Sequence, residues 1–475
     1  MTPSRIVQRI GQSRFIVPYI VGCALFMQML DSTVVAMALP EMARALGEDP
    51  VRLNIAITSY LLSIAVFIPI SGWIADRFGA RLVFASAVAL FTLSSAACGL
   101  ASSLPELVAA RLVQGMAGAM MVPVGRIVML RSVSKADLMQ ATAVLTMPAL
   151  LGPVLGPPIG GFVATYGSWR WIFLMNIPIG ILGMILILLF IKDIREDNVP
   201  PLDWRGFVLS AVSLACLVSG FETVGRDAIA PQYTIAILLV GAVAAVLYVR
   251  HANRIAHPIL DLKLMRIKTY AVAVIGGNFC RFTISATPFL LAMLLQVVFG
   301  LSAFAAGMIS FIGALGALLG KFLITPLFGR FGFRVVLAAN GVVMSLSIAA
   351  CMLFSPETPH AVIMAVLFLG GLFRSIQMTG VNTLIYADLS QKDIAGGNTF
   401  ASMMQQLAFS LGVGIAALAM QTSLSLRGGD TLEAMDVGAG FAVVAVCALA
   451  SLIWFVSLPA DAGAEVSKAR IKQAS

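Results

Sequence analysis

Charge is scarce in this chain: only 11% of its 475 residues are Asp, Glu, Lys or Arg, against 60% hydrophobic. That balance excludes a soluble globular protein, whose apolar surface would be left in water, and leaves no room for a sizeable soluble domain. Histidine is scarcer still. His251, His257 and His360 fall between the apolar stretches, and no nucleophile–base pair stands out, so the sequence does not read as an enzyme. The six cysteines, Cys23, Cys98, Cys216, Cys280, Cys351 and Cys447, are isolated inside apolar segments, without the paired spacing of a metal or redox site. A phosphate-binding loop is missing too. Gly320-Lys321 has Leu315 where the first glycine belongs and Phe322 in place of Ser or Thr, which excludes a nucleotide-driven pump. No cofactor is expected.

What the chain has is apolar runs. They lie near 15–39, 52–71, 82–101, 106–127, 138–164, 171–191, 206–224, 233–249, 270–298, 304–325, 335–354, 361–384, 395–421 and 437–458. Each is long enough to cross a bilayer as a helix, so an all-α polytopic protein of fourteen spans in a lipid bilayer is expected. The first run follows Arg5, Arg9 and Arg14 like a signal peptide, but its length and the lack of a small-residue cleavage site read as an uncleaved span.

The net charge of +9 is explained by topology. With a cytoplasmic N-terminus, the inner segments hold 21 Lys and Arg, among them Arg77, Arg81, Arg131, Arg330 and Arg334, and the outer segments only Arg44, Arg52, Arg170, Arg226 and Arg427. This asymmetry predicts both termini inside and removes the nucleic-acid reading. Arg77-Phe78-Gly79-Ala80-Arg81 after span two is repeated as Arg330-Phe331-Gly332-Phe333-Arg334 after span ten. Setting spans seven and eight aside gives both turns the same place in two six-helix halves. The expected organisation is an N-terminal bundle over 1–192, a two-helix insertion over 193–268 and a C-terminal bundle over 269–475. Repeated halves about a central site are what alternating access requires.

Three patterns carry a family resemblance. Leu30-Asp31-Ser32-Thr33-Val34-Val35-Ala36-Met37-Ala38-Leu39-Pro40 ends span one; Gly72-x-x-x-Asp76-Arg77-x-Gly79-x-Arg81 follows span two; Gly152-Pro153-x-x-Gly156-Pro157-x-x-Gly160-Gly161 lies in span five. Together they resemble the major facilitator superfamily, in particular its fourteen-span drug:proton antiporters of the EmrB/QacA type, although Ala36 stands where that family usually has Asn. The Ser168-Trp169-Arg170-Trp171-Ile172-Phe173 run, with Asn176 and Pro178 beyond, is also typical. Phe26-Met27-Gln28 and Gly118-Ala119-Met120-Met121-Val122-Pro123 are closest in flavour to enterobacterial multidrug transporters of that group. The resemblance covers essentially the whole chain. It implies a bacterial inner-membrane exporter of drugs or other small amphipathic molecules that exchanges them for protons, and it marks the span-five motif as an exporter's feature.

Elementary chemistry stands beside the resemblance. Asp31 lies nine residues before Pro40, about 13 Å from the outer end, and Arg111 lies eight residues after Ser103, about 12 Å deep. A carboxylate at that depth costs about 2.5–3.5 kcal/mol on insertion scales and seeks a proton or a partner. Asp31 is therefore read as the coupling proton site and Arg111 as its modulator, with a static buried ion pair as the alternative. Asp76, Arg77 and Arg81 read as an inner gate in which Gly72 and Gly79 permit a tight turn and close helix approach, or as plain topology signals. Gly152, Gly156 and Gly160 form a small-residue face, while Pro153 and Pro157 bend the helix. By depth alone, Gln28, Arg281, Arg374 and Gln405 are expected to line the substrate cavity; Lys321 and Arg126 read as snorkelling cations. Two mid-depth arginines and no mid-depth acid in the second half point to neutral, zwitterionic or weakly anionic substrates, unless both merely meet carbonyls. A dedicated exporter of one metabolite (an amino acid, sugar or siderophore) and a non-transporting receptor or scaffold are the competing readings. Accessory export proteins are not addressed by the sequence.

Overall fold

The computed structural model describes residues 15–132, 138–192, 201–223, 231–255, 258–390, 393–429 and 431–463, and among these every regular element is helical. The basic segment before the first span, the boundary expected at 193 and the basic C-terminal tail lie outside the described residues. The first half contains α1 (Ile16–Leu46), α2 (Ile55–Phe78), α3 (Ala80–Leu100), α4 (Leu104–Ser132), α5 (Leu138–Tyr166) and α6 (Arg170–Phe190). The insertion follows as α7 (Trp204–Thr223) and α8 (Pro231–Ala252). The second half contains α9 (Lys268–Val298), α10 and α11, α12 (His360–Leu384), α13 (Ile394–Arg427) and α14 (Ala434–Val456).

The helices α10 (303–331) and α11 (333–350) form one run, Ala303–Ala350, broken at Gly332 (φ 73°, ψ 169°). Gly79 between α2 and α3 has φ 93°. The two glycines of the repeated turn thus share a backbone that a side chain would strain, so the repeat is a repeat of geometry as well as of letters.

Twelve helices among the described residues are long and apolar enough to cross a membrane. The remaining two, α5 and α7, occupy the places of the expected fifth and seventh spans. Four prolines (Pro148, Pro153, Pro157 and Pro158) interrupt α5, and α7 carries only a short apolar core, Trp204–Gly220. Each half packs about its own interior, α1 against α5, α2 against α4, and α10 and α11 against α12. The insertion pairs α7 with α8 and lays α7 along α2 and α13, the seam between the halves. The outward face of α8 is apolar and exposed at Tyr233, Ile235, Leu239, Val243 and Val246, as a lipid-facing helix requires.

The halves meet chiefly at the ends of the helices away from Gly79 and Gly332, called here the Thr165 end. There the Phe304 amide donates to Thr165 Oγ1 (2.8 Å), Gln296 Nε2 to the Met37 carbonyl (2.8 Å), and Ser410 Oγ to the Thr58 carbonyl (3.3 Å). Backbones approach closely at Gly161, where an added Cβ would lie 2.3 Å from Ala303 O, and at Gly307, where it would lie 2.3 Å from Pro157 O. Toward the Gly79 end, Arg126 Nη1 donates to Asn398 Oδ1 (3.2 Å) on an exposed surface, and Gly72 of α2 and Gly396 of α13 face open space.

Candidate functional site

Asp31 and Arg111 meet. α1 carries the carboxylate into the interior of the first bundle, where Arg111 Nη1 of α4 reaches Asp31 Oδ2 at 2.7 Å; both side chains are at most 1% exposed. The other carboxylate oxygen accepts from Gln114 Nε2 and Asn176 Nδ2, both at 3.1 Å. Arg111 also donates to Gln114 Oε1 (2.7 Å) and, through Nε, to the Ala56 carbonyl (2.9 Å), with its guanidinium 4.1 Å above the Tyr60 ring. Asn176 Nδ2 further reaches Ser95 Oγ at 2.9 Å, which in turn donates to the Phe173 carbonyl. Helices α1, α2, α3, α4 and α6 thus converge on one charged pair. Such a pair in a dry interior survives only because its remaining lone pairs and protons are satisfied. Gln114 was legible beforehand, since it lies three residues from Arg111 on the same helix face. Tyr60 and Ser95 carried no signal, because each is one of several hydroxyl residues on its helix, beside Thr58, Ser59 and Ser63 on α2 and Thr92 and Ser94 on α3.

The glycine motif of α5 lies against α1. A Cβ on Gly152 would fall 2.8 Å from Met29 Cβ, on Gly156 2.1 Å from Thr33 Oγ1, and on Gly160 2.7 Å from the Val34 carbonyl. Thr33 Oγ1 sits within 3.4 Å of the Gly152 carbonyl, joining the two helices. Gly161 leaves this face and meets α10. Pro153 and Pro157 turn instead to a cavity.

That cavity, about 280 Å³, lies between the halves. Thr33 and Met37 of α1 form one wall with α5; α9, α10, α11 and α12 form the rest, with Phe441 of α14. Arg374, one of the residues expected at the substrate cavity, lines it. Gln28, Arg281 and Gln405 do not. Gln28 is buried within the first bundle, and Arg281 is buried in the second, donating to Asn278 Oδ1 (3.1 Å) and Asn382 Oδ1 (2.8 Å). Sequence gives depth along a helix, whereas the face depends on which neighbours pack there. Lys321, expected to snorkel, lines the same cavity as Arg374.

The expected gate separates into unlike parts. Gly79 makes the turn, Arg81 donates through Nη2 to the Leu188 carbonyl of α6, and Asp76 and Arg77 end α2. Gly72 differs from expectation, for nothing lies within 4 Å of where its Cβ would be. Close approach at Gly72 is therefore not a feature of this conformation.

The family model of the Major Facilitator Superfamily matches residues 21–276 and again 273–474. The chain belongs to the major facilitator superfamily. This transporter is 36% identical over 461 residues to the provisionally named multidrug resistance protein MdtD of Escherichia coli O6:H1, covering 96% of this chain and 97% of the relative. The MdtD of Shigella boydii serotype 18 matches with the same identity and coverage. Among solved structures, a D-xylose-proton symporter superposes with TM-score 0.67 at 14% identity, covering 94% of this chain and 99% of that one. A POT family transporter in complex with 5-aminolevulinic acid superposes with TM-score 0.66 at 15% identity, over 94% and 95% of the two chains. At such identities the two structures establish the fold, and the fold and relatives are those of membrane transporters rather than enzymes.

Proposed function

We propose that this transporter exports small amphipathic molecules, drugs among them, in exchange for protons by alternating access, from the bacterial inner membrane with both termini in the cytoplasm. The observation that carries the reading is the buried Asp31–Arg111 pair. Arginine stays charged at every physiological pH, whereas a carboxyl can take up a proton. Protonation of Asp31 would dissolve the pair and leave Arg111 to the Ala56 carbonyl, Gln114 and the Tyr60 ring.

The signal has a short path to the substrate. Thr33 and Met37 lie on the same helix as Asp31 and both line the cavity; Met37 also receives the Gln296 contact that joins the halves. Six residues of helix, about 9 Å, therefore connect the Asp31 carboxylate to the closed Thr165 end. A rigid rotation of α1 on the glycine face of α5 would couple proton uptake to opening of that end, as alternating access requires. Gly79 and Gly332 would serve as matching turns of the inner gate, with Asp76, Arg77 and Arg81 as its polar latch. Exporting direction is supported by the resemblance of residues 152–161 to the antiporter motif and by the MdtD relatives.

Reconstitution in liposomes with an imposed pH gradient tests the reading. Wild type should move an amphipathic dye only when the gradient is present, and Asp31→Asn should abolish the gradient-driven component while the protein remains folded. Undiminished gradient-driven transport by Asp31→Asn would refute the proton site.

A further inference from the structure

Lys321 and Arg374 share a cavity whose other walls carry no charge. Neither side chain has a hydrogen bond or ion pair among the described residues, and no Asp or Glu lines the space. The two are brought together by a helix crossing. A Cβ on Gly320 of α10 would lie 3.2 Å from Ser375 Cβ of α12, and Lys321 and Arg374 are the next residues along those helices. Asp31 cannot act as their counter-ion, since Arg111, Gln114 and Asn176 already hold both of its oxygens.

The rest of the wall is mostly apolar. Thr287 Oγ1 donates to the Thr283 carbonyl at 2.5 Å and Ser347 Oγ to the Met344 carbonyl at 2.7 Å. Ser310 Oγ, by contrast, is buried without a partner. Met37, Pro157, Ile284, Leu291 and Phe441 provide a surface for a hydrocarbon or aryl body. Arg374 is half-buried and Lys321 is exposed beside it, so two unpaired cations facing an apolar wall gain most from an anion that enters with its own apolar mass.

We propose that this cavity takes amphipathic organic anions, with a carboxylate or sulfonate held between Lys321 and Arg374 and the apolar body against α1, α5 and α9. The assignment deepens the transporter reading above and rests on it. It rejects lipophilic cations as the preferred cargo, because a cation would face two like charges and no acid.

Equilibrium binding to the purified full-length protein in lipid nanodiscs tests it, with three probes of one shape: naphthalene-2-sulfonate, neutral naphthalene-2-sulfonamide, and trimethyl(naphthylmethyl)ammonium. The sulfonate should bind at least about tenfold tighter than the sulfonamide, and Arg374→Gln and Lys321→Gln should each remove about that factor. Arg374→Lys should keep most of the affinity, and equal thermal midpoints would show that the variants are folded. Ammonium binding as tight as that of the sulfonate, or sulfonate affinity unchanged in both glutamine variants, would overturn the assignment. Competition separates the sources of such an anion: displacement by dodecanoate points to lipid-derived acids, displacement by phenylacetate alone to soluble ones, and either supports the shared chemistry. Because binding is read without a pH gradient, anion selectivity that persists while Asp31→Asn still transports would sink proton exchange and spare this assignment.

Discussion

At the scale of single residues, the Asp31–Arg111 pair makes an asymmetric prediction. Removing the acid by Asp31→Ala leaves a guanidinium that cannot neutralise itself in a dry interior, and breaking a buried pair in this way costs about 3–5 kcal/mol. Removing the base by Arg111→Ala leaves a carboxyl that can take up a proton, so its cost should be smaller. Thermal unfolding of both variants in the same detergent checks the order, and equal losses would place the energy in packing rather than charge. Gly156 makes a second residue-scale prediction. Its missing Cβ is replaced in space by Thr33 Oγ1, 2.1 Å from where it would stand. Gly156→Ala should therefore lower the folded yield, and Thr33→Gly in the same chain should restore much of it. Independent, additive losses would show that the two helices do not touch there.

Among elements, the two repeated turns and the glycine near them should respond differently. Gly79 and Gly332 hold φ 93° and 73°, where an alanine is strained by about 1 kcal/mol or more. Gly72 faces open space in the same motif. Gly79→Ala and Gly332→Ala should each lower the unfolding midpoint, whereas Gly72→Ala should leave it at the wild-type value. If Gly72→Ala nevertheless slows transport, the close approach expected at Gly72 belongs to another conformation of the cycle. The insertion is tied at its polar end by Asp203, which accepts from the Gly206 amide and pairs with His251 Nε2 at 2.8 Å. Its long axis rests on the seam, where the Phe67 and Phe207 rings lie 6.0 Å apart. α7 so placed lies along the joint between the halves, and neither insertion helix lines the cavity.

The molecule as a whole is closed at the Thr165 end by contacts from three pairs of helices, α5 with α10, α1 with α9 and α2 with α13, and that closure should be a step of the cycle. Thr165→Cys with Phe304→Cys places two thiols where a backbone amide already meets the threonine hydroxyl at 2.8 Å. Oxidation should cross-link the pair and stop transport, and a reductant should restore it. The single-cysteine variants control for the six natural cysteines, which are all free among the described residues. A cross-linked protein that transports normally would show that this end does not open.

Much of this architecture was legible in composition and spacing. Apolar runs of span length give helices because the bilayer leaves backbone groups no other partner, and the repeated Arg-Phe-Gly turn marks the halves because only glycine takes its backbone easily. The Asp31–Arg111 encounter was legible as well, since two opposite charges at equal depth on neighbouring helices have strong reason to meet. The face each polar residue turns was not. Gln28 and Arg281 are buried inside their own bundles and, like Gln405, do not line the cavity, whereas Lys321 does. Hydropathy fixes position along the membrane normal, because burial in lipid depends on depth. Rotation about the helix axis is decided by interdigitating side chains from helices distant in sequence, and only the assembled bundle contains them.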